Sequence, residues 1–120
     1  MKRATIRIRR DTDTALAEMG ARFVEAWKTG KSAEDTFEFE SPAALFRLLS
    51  PKRWELVERL QRLGASSVRG LARALERDVK RVHEDVHLLM ECGLIERTDA
   101  GEVHVPYDVI HTEFDLHAVA

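Results

Sequence analysis

Two sets of residues in the second half of the chain have types and spacing that can do chemistry. The first is His83-Glu84-Asp85-Val86-His87, which fits the zinc-peptidase string HExxH. On a helix the two imidazoles fall four residues apart on one side. The glutamate would then act as general base and a third ligand would come from elsewhere. Three features oppose that use. Asp85 holds a position such peptidases usually keep uncharged, no later segment offers the missing ligand at an ordinary spacing, and the chain leaves little material for a substrate cleft. A string this short arises by chance in a helix rich in His and Glu. No metal, cofactor or enzymatic activity is expected.

The second set is basic. Lys80 and Arg81 fall in the first turn of the same helix, with Glu84 and His87 further along its exposed side. Arg77 lies in the turn just before, within reach of a phosphate. Arg69 and Arg73 sit one turn apart on the preceding helix, and Arg97 lies at the base of a following hairpin. Cations with exposed donors near a helix start are what a DNA-reading helix presents. Phosphate contacts give affinity and salt dependence, and base edges give sequence preference. The expected DNA-binding residues are therefore Arg69, Arg73, Arg77, Lys80, Arg81, Glu84, His87 and Arg97. Glu84 is the awkward member, because a carboxylate near phosphates costs affinity unless it accepts from cytosine N4.

The elements that must position these residues follow from periodicity. Val68, Leu71, Ala72 and Leu75 form the inward side of a helix over about 68–75. Glu76-Arg77-Asp78 is a turn whose aspartate can cap the next helix, which buries Val79, Val82, Val86, Leu89 and Met90 and ends at Gly93. Residues 94–97 and 102–105 pair as a hairpin around Thr98-Asp99-Ala100-Gly101. Helix, turn, helix and ribbon in that order outline a winged helix-turn-helix. Upstream, Ser50-Pro51 starts a helix carrying Trp54, Leu56, Val57, Leu60 and Leu63 to Gly64. Residues 4–9 alternate around Ile6 and Ile8, with Thr5, Arg7 and Arg9 on the other side. A helix from Asp11 or Thr12 to about Thr29 follows, then a short strand around Phe37 and Phe39 and a helix over 42–48. The expected fold is mainly α with a small β wing. Residues 1–49 form a strand-helix region for dimerisation or partner binding, and 50–120 form the winged helix-turn-helix domain.

Charge patterning supports the division. The net charge of −2 averages three unlike segments. Residues 1–50 carry nine Lys/Arg against eight Asp/Glu, residues 51–81 nine against four, and residues 82–120 one against nine. The basic third covers the helices expected to meet DNA, whereas the acidic third suits a protein partner. With 33% charged and 44% apolar residues the chain is globular in type. No run approaches the roughly 20 apolar residues of a membrane helix, and the N-terminus lacks a signal-peptide core, so a cytoplasmic protein is expected. Cys92 is the single cysteine, which excludes an internal disulfide.

The segments Leu45 to Gly64, Ser67 to Glu96 and Val103 to Leu116 resemble small prokaryotic winged-helix proteins regarded as MarR-like DNA-binding regulators. The likeness is closest at Arg77-Asp78-Val79 and Val105-Pro106-Tyr107-Asp108. Several members look like antitoxins encoded beside a toxin of the TumE type. The resemblance implies a dimer, double-stranded DNA binding through the helix holding Lys80 and Arg81, and a cognate toxin as partner. The expected function is a transcriptional repressor, with the autoregulating antitoxin as its narrower form. The alternative is a winged-helix interaction module without DNA binding. For the dimer contact, the candidates are the N-terminal amphipathic helix and the open edge of the Ile6/Ile8 strand.

Overall fold

A computed structural model describes residues 2–9 and 35–118. The expected N-terminal amphipathic helix lies outside the described residues. The elements are β1 (Arg3–Ile8), β2 (Asp35–Phe39), α1 (Pro42–Leu48), α2 (Pro51–Leu63), α3 (Val68–Leu75), α4 (Val79–Cys92), β3 (Glu96–Arg97), β4 (Val103–His104) and β5 (Val109–Glu113). They belong to two units, one made of residues 1–45 with 109–120 and the other of 46–108.

In the first unit β1 is the central strand of a sheet ordered β2-β1-β5, parallel on both sides. Ile6 lies beside Phe37 and Thr112, and Arg7 lies between Glu38 and Glu113. The Arg7 Nε is 3.7 Å from a Glu113 carboxylate oxygen, and Arg9 Nε donates to Glu38 at 3.3 Å. This arrangement corrects three expectations. The Ile6/Ile8 strand has no open edge, because β2 and β5 occupy both sides. Burial does not alternate along the strand as its residue pattern does: Ala4, Thr5 and Ile6 are buried in succession. The third concerns the boundary at residue 50, because Val109–Glu113 returns to the N-terminal strand instead of continuing the C-terminal module.

The second unit is built on amphipathic helices. Leu56, Val57 and Leu60 of α2, Leu71 and Ala72 of α3, and Val82, Val86 and Leu89 of α4 are buried, at spacings that put each set on one helical face. Each fully buried leucine contributes about 1.5–3 kcal/mol relative to exposure. Leu49, Leu94, Ile95, Val103 and Tyr107 complete this core. Leu94 and Ile95 serve there as core residues rather than as strand, which shortens the expected hairpin. Val79 also departs from expectation: it opens α4 and stays 41% exposed.

Local signals set the helix ends. Ser67 Oγ accepts from the Gly70 amide at 3.0 Å and Asp78 accepts from the Arg81 amide at 3.2 Å, satisfying backbone donors that have no intrahelical partner. A Cβ at residue 70 would lie 3.1 Å from that capping hydroxyl, so glycine suits the position. Ser50 has the extended N-cap backbone ahead of Pro51 but makes no side-chain cap bond. Gly93 ends α4 at φ 96°, and its amide donates to Met90 O at 3.2 Å. Glu76 ends α3 in the left-handed region at φ 54°, where a side chain is disfavoured.

β3 and β4 pair antiparallel, and Ser66 adds a bridge on the far side of β4. Its amide donates to Val103 O at 3.0 Å, and the Val103 amide donates to Ser66 O at 2.8 Å. The residue just before α3 is thereby tied to the hairpin that follows α4. None of the helices described is long and apolar enough to cross a membrane.

Candidate nucleic-acid interface

The three-residue turn Glu76-Arg77-Asp78 separates α3 from α4. The αL conformation of Glu76 reverses the chain, its amide donating to Arg73 O at 3.2 Å and that of Arg77 to Ala72 O at 3.0 Å. Asp78 then starts α4 with an extended backbone. Once Val82, Val86 and Leu89 are buried, the opposite stripe of α4 is fixed by helical geometry. Lys80, Glu84, His87 and Glu91 occupy it, and all four are exposed. Arg81 and His83 flank that stripe and are exposed as well.

The expected DNA-binding residues divide into three groups. Arg69, Arg73, Lys80 and Arg81 are exposed and carry no ion pair among the described residues. Glu84 and His87 are also exposed, but His87 Nε2 lies 3.1 Å from Glu91. Arg97 is exposed and donates to Gly101 O at 3.1 Å, so part of its guanidinium closes the hairpin. Arg77 departs from expectation. Instead of reaching outward toward a phosphate, its half-buried guanidinium donates to Asp85 Oδ2 at 2.7 Å.

Asp85 is a residue to which the sequence reading gave no structural role. Its second oxygen accepts from Arg53 Nε at 3.0 Å. Arg53 NH1 reaches on to Arg47 O at 3.1 Å and Leu48 O at 3.0 Å, two carbonyls at the open end of α1. One carboxylate thus joins the start of α2, the α3–α4 turn and the second turn of α4. Burial pushes the Asp85 carboxyl upward, but hydrogen bonds from Arg77 and Arg53, helped by their charges, outweigh it and hold the group below the ordinary aspartate range. Arg53 and Asp85 are 32 residues apart, and no local pattern marks the pair. The only sequence hint was Asp85 itself, a charge next to the buried stripe.

The same contacts bear on HExxH. Asp85 is committed to two arginines, and both histidines and Glu84 are exposed. Among the described residues no group of three or more His, Cys, Asp or Glu is placed to hold a metal ion. Cys92 is partly buried and its thiol lies 3.3 Å from Leu89 O. Burial pushes this thiol up, partly offset by hydrogen bonds from the backbone of Leu94 and Cys92.

Fold and site define a small α/β protein whose second unit packs amphipathic helices with a short hairpin and carries, on α3 and the first turn of α4, cations that are unpaired among the described residues. Residues 48–112 match the model of the HVO_A0114 family, and the chain belongs to that family. No curated protein and no solved structure matches the chain significantly.

Proposed function

We propose that the second unit is a winged helix-turn-helix that binds double-stranded DNA, with α4 as the recognition helix and the β3–β4 hairpin as the wing. The observation that carries this reading is the contrast among its cations. Arg53 and Arg77 are ion-paired with Asp85, whereas Arg69, Arg73, Lys80 and Arg81 stay exposed and unpaired among the described residues. Lys80 and Arg81 also lie at the positive end of the α4 dipole, where cations repel the helix but attract a phosphate. Neither α3 nor α4 carries an acidic residue in its first turn.

On this reading the protein is a cytoplasmic transcriptional repressor rather than an enzyme. It acts as a homodimer, because one recognition helix reads only a short site and two-fold pairing doubles it. The antitoxin role, with autoregulation and a cognate toxin of the TumE type, is the narrower form and rests on the family resemblance of the sequence. The competing reading, an interaction module indifferent to DNA, draws on the carboxylates Glu84 and Glu91 along the exposed stripe of α4.

Fluorescence anisotropy on DNA from upstream of the protein's own gene, against scrambled DNA at two salt concentrations, tests the proposal. The upstream duplex should bind more tightly, and binding should weaken steeply with salt. Arg81→Ala should lower the slope of log K against log salt by about 1. Equal, feeble binding to both duplexes would reject DNA as the partner.

A further inference from the structure

The three carboxylates of α4 have different fates. Asp85 is held by two arginines and Glu91 faces His87 at 3.1 Å. Glu84 has no ion pair among the described residues. Lys80, one turn earlier on the same exposed stripe, is also unpaired. A lysine placed four residues before a glutamate is the weaker orientation for an intrahelical pair. Both heads are therefore left for an external partner. They sit within the first two turns of α4, the part of a recognition helix that meets base edges.

From this pairing we infer that Lys80 and Glu84 together set base preference: Glu84 accepts from the N4 amino group of a cytosine, and Lys80 donates to O6 and N7 of a nearby guanine. The inference rests on the DNA-binding reading above. In the major groove the cytosine edge presents a donor, whereas adenine sets its N6 donor beside the N7 acceptor, which repels a carboxylate. Thymine and guanine present acceptors to it. An unpaired carboxylate therefore penalises the other three bases, so specificity comes from repulsion as well as attraction. Positions 80 and 84 are about 6 Å apart along the helix axis. With base pairs stacked about 3.4 Å apart, the cytosine and guanine lie within about two steps of each other.

The test is selection of bound sites from a random duplex library by the full chain, carried out with wild type, Glu84→Gln, Glu84→Ala and Lys80→Ala. Wild type should enrich a half-site with a cytosine and a guanine within two steps. Glu84→Gln should move the cytosine to adenine, whose N6 and N7 match an amide. Glu84→Ala should lose that preference and bind scrambled DNA more tightly, and Lys80→Ala should lose the guanine. On the selected site, changing the cytosine should weaken wild type about fivefold or more and leave Glu84→Ala nearly indifferent. If wild type selects a motif that Glu84→Gln leaves unchanged, this inference is overturned while DNA binding stands. If wild type selects no motif and shows no salt-dependent binding, both fail. Neither the Glu84 carboxylate nor the Lys80 ammonium makes a hydrogen bond or ion pair with any described residue, so the variants should melt as wild type does.

Discussion

Replacing Asp85 by alanine should destabilise the unit spanning residues 46–108 by about 2–3 kcal/mol. The carboxylate accepts two charge-assisted bonds, 2.7 Å from Arg77 and 3.0 Å from Arg53. Each such bond contributes roughly 1.5–3 kcal/mol when desolvated. The side chains retain 13–22% of their exposure, so part of the lost interaction is recovered from water. The cost should therefore fall below the roughly 3–5 kcal/mol of breaking a fully buried pair. Urea unfolding of the full chain followed by far-ultraviolet circular dichroism reads this change, because most of the described helix lies in that unit. The pH dependence supplies a second readout. The folded carboxyl titrates below its unfolded value, so the stabilisation is complete above the unfolded value. It fades as pH falls through the lower folded value. The stability difference between wild type and Asp85→Asn should thus be flat near neutral pH and shrink only below about pH 4. A loss smaller than about 0.5 kcal/mol in Asp85→Ala, within the range of ordinary surface substitutions, would refute the view that this carboxylate joins α2 and the α3–α4 turn to α4.

Two further outcomes follow from local structure. Glu76→Gly should raise stability by about 0.5–1 kcal/mol in the same urea experiment, because residue 76 is held at φ 54°, where glycine meets no Cβ penalty; a loss of stability would mean that the Glu76 side chain contributes more than its backbone costs. Cys92 should react several-fold more slowly with a thiol reagent at pH 8 in the native protein than in denaturant, since burial lowers its thiolate fraction. Equal rates would contradict the packing at the end of α4.

Much of the second unit was legible from short-range pattern. The starts at Pro51, Val68 and Val79, and the ends before Gly64 and Gly93, follow from caps and glycines that act within a few residues. The buried faces of α2, α3 and α4 follow from the spacing of their leucines and valines; the exceptions on α4 are Val79, which is exposed at the helix start, and Met90, which is only half-buried. For the same reason the exposure of Lys80, Arg81 and Glu84 was readable: once the apolar stripe of α4 is known, the opposite stripe is fixed.

Contacts between distant residues carried no such signal. Arg77 looked like a free cation because its local sequence is a polar turn, and only the packing of α3 against α4 brings it to Asp85. Arg53 carries no local signal either, because its partner Asp85 is 32 residues away. The strand at Val109–Glu113 was counted with the C-terminal domain, because pairing with Arg3–Arg7 depends on backbone hydrogen bonds between segments about a hundred residues apart. The sequence by itself determined the helices, their faces and the charges they present, since those depend on neighbours within one or two turns. Tertiary structure alone decided which arginines are ion-paired, which strand edges are occupied and which carboxylate of α4 remains unpaired among the described residues. Those outcomes depend on which groups folding brings within about 3–4 Å of one another, the range of hydrogen bonds and ion pairs.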